Sequence, residues 1–224
     1  GHSGTRLMAR TLDLVDSITV PSHLLNEVAE SQRLHDFFID MLDRTPLEAD
    51  SYRLDDARMK GLVEDYVGGR EGWVVLKMPV YPLLVLERVL EAVDRPVRLV
   101  VVERQFEHVM RSYRRRLEDL YYMRHPQERR RWVMRLPVEK RRDRMEPETS
   151  FETILRDLKD RLSTLTARWH ESGRLAKTVV APIEPWAISE RTRRCVLSRL
   201  GFGTNRAAEM GELADPDRLL ERRS

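Results

Sequence analysis

The first six residues, Gly1-His2-Ser3-Gly4-Thr5-Arg6, place two glycines and two hydroxyls among basic side chains. An apolar helical pattern (Leu7, Met8, Leu12, Val15) follows at once. A glycine-containing loop that opens onto a helix N-terminus suits an anion, because free backbone N–H groups and the positive end of the helix dipole converge there. Gly4 lets the backbone approach a phosphate closely, and Ser3 and Thr5 add hydroxyl donors. His2 and Arg6 are the candidates for the accompanying positive charge. The same run also reads as an ordinary helix cap, and alone it does not decide between the two.

About a hundred residues on, a second pair has the same character. Arg104 follows the apolar run Val97–Val102, and Ser112 stands two helical turns further, so both side chains can look toward one crevice. An arginine fork with a hydroxyl suits a phosphate; a surface arginine with a helix-facing serine is the plainer reading. Lys77, closing Trp73-Val74-Val75-Leu76, is placed to hold a reacting oxygen or to stand in water at a strand end. Proton transfer needs a base, and His23 and Glu27, four apart on one helix face, are the candidates. His35, His108 and His125 read as surface or helix-packing residues. Cys195 is the single cysteine, which excludes an internal disulfide and a cysteine zinc cluster. Its helical surroundings predict a buried structural thiol. Nothing in the sequence has metal-ligand spacing.

These groups need strands and helices to carry them. Helices are expected over Thr5 to about Leu14, from a Ser22 cap to about Arg44, over Asp55–Val67, and from Pro82 to about Val93. Further helices are expected over Phe106–Met123, Gln127–Arg135, Ser150–Trp169 and Ser189–Leu200. Between them Ile18-Thr19-Val20, Trp73–Lys77, Val97–Val102 and Thr178–Ile183 read as strands. The longer runs are continuously apolar, as strands buried on both faces are. This alternation predicts a single α/β domain over 1–224. It would be a three-layer α/β/α with a central parallel sheet, phosphate-loop-like, with helix-rich insertions and ligands at the strands' carboxyl ends. A strand–loop–helix also requires a strand ahead of residue 1. The tail from Thr204 is polar and expected to be peripheral.

The chain of 224 residues is 41% hydrophobic and 34% charged, and no run is long and apolar enough to be a membrane span. Lone cysteine and absent leader give the expectation of a reducing, cytoplasmic compartment. Net charge is +3, but residues 104–144 hold fourteen Arg or Lys against six Asp or Glu, a net +8 that leaves about −5 elsewhere. This run is either a set of solvated helix faces or a basic wall for an anionic partner. With aromatics at 7% and no binding module, nucleic acid is not expected. No oligomeric state is implied.

Taken together, His2-Ser3-Gly4-Thr5 and Arg104…Ser112 resemble two motifs of the sulfotransferases that use 3′-phosphoadenosine 5′-phosphosulfate (PAPS). The first is similar to that family's basic-Ser-Gly-Thr loop, the second to its Arg and Ser with seven residues between. Lys77-Met78-Pro79, Val179–Glu184 and Leu197–Phe202 are similar to later family segments, in order along nearly the whole chain. His2 stands where the family has Lys or Arg, and Gln105-Phe106 replaces Asp-Pro or Asn-Pro. The resemblance implies that Gly1–Arg6 bind the 5′-phosphosulfate and that Arg104 and Ser112 bind the 3′-phosphate. His2, Lys77, His23 and Glu27 would be the catalytic group. The reaction would move a sulfuryl group without a metal to a hydroxyl or amine of a small-molecule, carbohydrate or lipid acceptor, leaving adenosine 3′,5′-bisphosphate (PAP). A catalytically weak nucleotide-binding or scaffold protein is the alternative. So is a phosphate-loop kinase, although Thr-Arg follows the glycine where a kinase has Lys-Ser/Thr.

Overall fold

A computed structural model describes residues 4–22, 24 and 27–213. In chain order the elements begin α1 (Thr5–Leu12), β1 (Ile18–Thr19), α2 (Ala29–Arg44), α3 (Asp56–Val67) and β2 (Trp73–Val74). Next come α4 (Tyr81–Leu84), α5 (Leu86–Ala92), β3 (Arg98–Glu103), α6 (Phe106–Arg115), α7 (Glu118–Arg124) and α8 (Pro126–Val133). The rest are α9 (Val138–Arg144), α10 (Phe151–Glu171), β4 (Lys177–Pro182), α11 (Ile183–Ile188), α12 (Glu190–Leu200) and α13 (Glu209–Leu213). The protein is thus mixed α/β and rich in helix, with small parallel sheets.

The strands do not form one sheet among the described residues. β1 pairs in parallel with β2 (Ile18 opposite Trp73), and β3 pairs in parallel with β4 over six residues, from Arg98 opposite Lys177 to Glu103 opposite Pro182. Alternation along the strands splits their side chains between two cores. Trp73, Val75, Val100 and Val102 pack with α1, α11 and α12, around the fully buried Trp186. Val74, Leu76, Val97 and Leu99 pack with α2, α3 and α5. A third core, with Trp132 and Phe151, lies among α6, α8 and α10.

Local chemistry explains several element ends. Asp55, Ser150 and Ser189 accept from the N–H groups of Arg58, Thr153 and Thr192, capping α3, α10 and α12. Gly201 ends α12 in the left-handed region. At Gly4, φ is 85°, and a Cβ there would lie 2.3 Å from Ile183 Cγ1, so the start of α1 sits directly on the start of α11. Trp186 Nε1 donates to Thr11 Oγ1 at 3.1 Å and fixes α11 along α1.

Several expectations are corrected. The helix after Ser22 begins only at Ala29, because Ser22 is buried rather than capping, and Glu27 therefore precedes the helix. Phe106–Met123 is two helices, broken where Leu117 takes φ 56°. Cys195 is exposed, since Val196, Leu197 and Leu200 form the buried face of α12. The stretch from Thr204 is not peripheral: Ala207 and Met210 are fully buried, and Ala207's carbonyl accepts from Arg193 Nε at 2.6 Å. Residues 214–224 lie outside the described residues.

The basic run 104–144 is largely internal support. Arg141, 2% exposed, donates to the carbonyls of Leu136, Leu47 and Ala49. Arg130 reaches the carbonyls of Leu42 and Thr45, Arg131 grips Asp43, and Arg129 donates to the Glu146 carbonyl. Lys140 and Arg144 share Asp157. Much of the charge seen in the sequence is therefore spent on backbone oxygens and carboxylates of the same chain.

Candidate functional site

The chemistry-bearing residues gather where the strands end. Lys77 follows β2, Arg104 follows β3, and Glu184 stands one residue beyond the Ile183 on which Gly4 packs. Because β3 and β4 are in register to Glu103 and Pro182, the residues just past them are neighbours. Arg104 Nε lies 3.5 Å from Glu184 Oε1, and His108 Nδ1 lies 3.1 Å from the same oxygen. The start of α1 and the Arg104 cluster thus share one end of the molecule.

Electrostatics there are unusual for so open a place. Burial is the largest influence on Glu184 and pushes its carboxyl up. The His108 contact, the N–H groups of Glu184 and Gln105, and Arg104 together outweigh it and hold the group below the usual carboxylate value. Glu184 is therefore ionised at neutral pH and orients both Arg104 and the His108 ring. Lys77 is half-buried, and its ammonium is held down at about 8, first by burial and then by the positive charge of Arg6, with Glu27 partly offsetting both. Arg6 and Glu27 are accordingly each within electrostatic reach of Lys77. A lysine depressed in this way gains an anion more readily than a solvated one, because the anion restores its lost charge stabilisation.

Of the site residues expected from sequence, Gly4, Thr5, Arg6, Lys77, Glu27 and Arg104 lie at this end. Ser112 is buried on α6. Gly1, His2, Ser3 and His23 lie outside the described residues, and Glu27 lies ahead of α2 rather than on a helix. The Glu184–His108 contact was missed by reading His108 as packing. The signal available was its spacing of four from Arg104, beside a strand end followed by an acid. Arg104 also borders a cavity of about 570 Å³ between β3, β4 and α10, with walls of Val101, Phe106, Leu158 and Leu162 and with Lys159 and His170 among its polar groups.

Compared with known proteins, the chain matches no protein-family model, no curated protein and no solved structure. Its chemistry rests on its own residues. Among the described residues no helix is long and apolar enough to cross a membrane.

Proposed function

We propose that the protein is a PAPS-dependent sulfotransferase of three-layer, phosphate-loop-like fold, transferring a sulfuryl group to a hydroxyl or amine acceptor. One observation carries the reading. Gly4 packs on Ile183 while the residue after Ile183, Glu184, pairs with Arg104, so the α1 N-terminus and the arginine are neighbours, which supports their serving one ligand. The donor set fits a doubly phosphorylated nucleotide: backbone N–H groups at a helix start, the Thr5 hydroxyl, Arg6, Lys77 and Arg104.

On this reading the N–H groups of Thr5 and Arg6 face the 5′-phosphosulfate, and Arg104 with Ser112 takes the 3′-phosphate. The acceptor oxygen attacks sulfur in line, and the bond from sulfur to the bridging oxygen breaks. Charge then gathers on the departing 5′-phosphate, where the helix-start donors and Lys77 stabilise it. Glu27 takes the acceptor's proton, its carboxylate lying within electrostatic reach of Lys77. The cavity beside Arg104 offers apolar walls to a nucleoside or acceptor.

Calorimetry with adenosine 3′,5′-bisphosphate tests this directly. Binding is expected, with adenosine 5′-phosphate at least about tenfold weaker for want of the 3′-phosphate. Equal affinity for the two nucleotides, or a preference for ATP with magnesium, would replace the reading with a kinase. No binding of either would leave a scaffold protein.

A further inference from the structure

An elongated apolar slot of about 380 Å³ separates β2 from β3. Its two long walls are residues 72–78 and 95–100, consecutive rather than alternate positions. Strand edges, not strand faces, therefore confront each other across it. The hydrogen bonds agree. Trp73 and Val75 donate to the carbonyls of Ser17 and Thr19, so the alternation of a strand turns the backbone groups of Val74 and Leu76 toward the slot. Val97 accepts from Ala176, which likewise turns Arg98, Val100 and Val102 toward it. Both strands keep one paired edge and present the other to a cavity whose remaining walls are apolar side chains of α1 on one face and of α3 and α5 on the other.

Facing strand edges turned into an apolar slot are costly unless a third strand lies between them. Arg98 adds a second sign. Its guanidinium stacks 3.6 Å from the Trp73 ring centroid, yet its buried Nε and Nη1 have no hydrogen-bond partner among the described residues. Carbonyls of an inserted strand would supply acceptors. The direction of the missing strand is also fixed. The start of α1 lies at the carboxyl ends of β2 and β3, near Lys77 and Ile183, and Met8, Ala9 and Leu12 then line the slot. A strand parallel to both neighbours ends where α1 begins, which makes a strand–loop–helix.

We propose that the slot is a docking site for one apolar parallel strand of this same polypeptide, the segment directly ahead of Gly1, which joins β1–β2 and β3–β4 into a single five-stranded sheet. The tail 214–224 is a poor occupant, carrying Pro216 and six charged side chains. Buried on both faces, the occupant is a Val/Ile/Leu-type run of about six residues, matched to β3. The proposal does not depend on sulfuryl transfer: it concerns the sheet, whatever anion its carboxyl end holds.

The test fuses about six Val and Ile residues ahead of Gly1 and compares that chain with one carrying an equal Gly/Ser extension. Amide hydrogen exchange of Val74, Leu76, Val100 and Val102 is the readout. The apolar extension is expected to slow these amides by at least about tenfold and the Gly/Ser extension to leave them unchanged. Should the fused chain aggregate, the same run is added in trans as a peptide flanked by lysines, with saturable protection of the same amides expected. A proline at the middle of the run removes its N–H donor and is expected to abolish the effect. Equal exchange with both extensions and with the peptide overturns the proposal. Protection of the unextended chain that grows with its concentration overturns it too, by making a second copy the occupant.

Discussion

Arg141 and Lys77 are both cations withdrawn from water, and the protein treats them in opposite ways. In the helical region of α8–α10 the guanidiniums are mostly given oxygens, although Arg129 and Arg135 each keep a buried Nε without a partner among the described residues. Arg141 has three carbonyls, Arg130 has two and Arg131 has Asp43. At the strand ends and in the slot burial weighs more heavily: Lys77 is depressed by burial and by Arg6, and two Arg98 donors have no hydrogen-bond partner among the described residues. A satisfied buried charge rigidifies a core, and an unsatisfied one stores affinity for an incoming group. The first region is scaffold and the second is poised for something to arrive.

The comparison breaks most visibly at Arg141. Arg141→Met leaves the carbonyls of Leu136, Leu47 and Ala49 buried without a donor, and a loss of about 3 kcal/mol of folding stability is expected in urea titrations. A loss below about 1 kcal/mol would mean that water or neighbouring groups replace the guanidinium, and the region would not be the scaffold described.

Arg104 and Arg130 sharpen it next, since both belong to the same basic run. Arg130→Ala removes a brace between α8 and the end of α2 and is expected to lower stability by about 1–2 kcal/mol without changing affinity for adenosine 3′,5′-bisphosphate. Arg104→Ala, whose visible partner is Glu184, is expected to reduce that affinity by at least about tenfold with little change in the thermal midpoint. Equal effects of the two substitutions on calorimetric affinity would remove Arg104 from the site.

Much of this division was beyond reach of the sequence, for a physical reason. Caps and apolar runs are local: Ser150, Ser189, Asp55 and the Leu99–Val102 run announce α10, α12, α3 and β3 by their own chemistry. Whether an arginine is solvated or buried is not local. Arg130 and Arg141 sit among exposed charges, and only their meeting with carbonyls of residues 42–49 makes them structural. The same holds for Cys195, whose exposure depends on which face of α12 meets the core, and for the left-handed Leu117, which splits an otherwise continuous helical pattern. Strand existence was legible while strand adjacency was not, so one sheet was expected where two paired ribbons flank a slot. At the candidate site, residue types and order were readable, but the Glu184 bridge between Arg104 and His108 required the register of β3 against β4.

Lys77 offers a smaller and more selective test. Its folded value of about 8 lies below the 10.5 of the unfolded chain, so charging it opposes folding at neutral pH. Between about pH 8 and 10.5 the unfolded chain holds a proton that the folded one has released, and stability rises with pH across that window. Lys77→Met is therefore expected to stabilise the free protein near pH 7 by about 1 kcal/mol, a gain limited by solvent screening at a half-buried position. The difference from the parent should shrink as pH climbs through the window, while affinity for the bisphosphate falls. A destabilised Lys77→Met at pH 7 would show that the ammonium is already well partnered.

The smallest effect belongs to the satisfied region and has the opposite pH sign. Asp43 accepts from Arg131 Nε at 2.9 Å and Nη2 at 2.6 Å, and the Arg131 hydrogen bond is the main cause holding its carboxyl below 3.8. A carboxyl depressed on folding contributes stability that is complete above its unfolded value and is lost as pH falls through its folded one. Asp43→Asn is thus expected to lower stability by about 0.5–1 kcal/mol at pH 7 and by progressively less below about pH 4. Because Asp43 anchors α2 to α8 far along the chain from the strand ends, bisphosphate affinity should not follow that change. If affinity does track it, the scaffold and the anion-holding end are energetically coupled, and the contrast between satisfied and unsatisfied charge describes one cooperative unit rather than two regions with separate tasks.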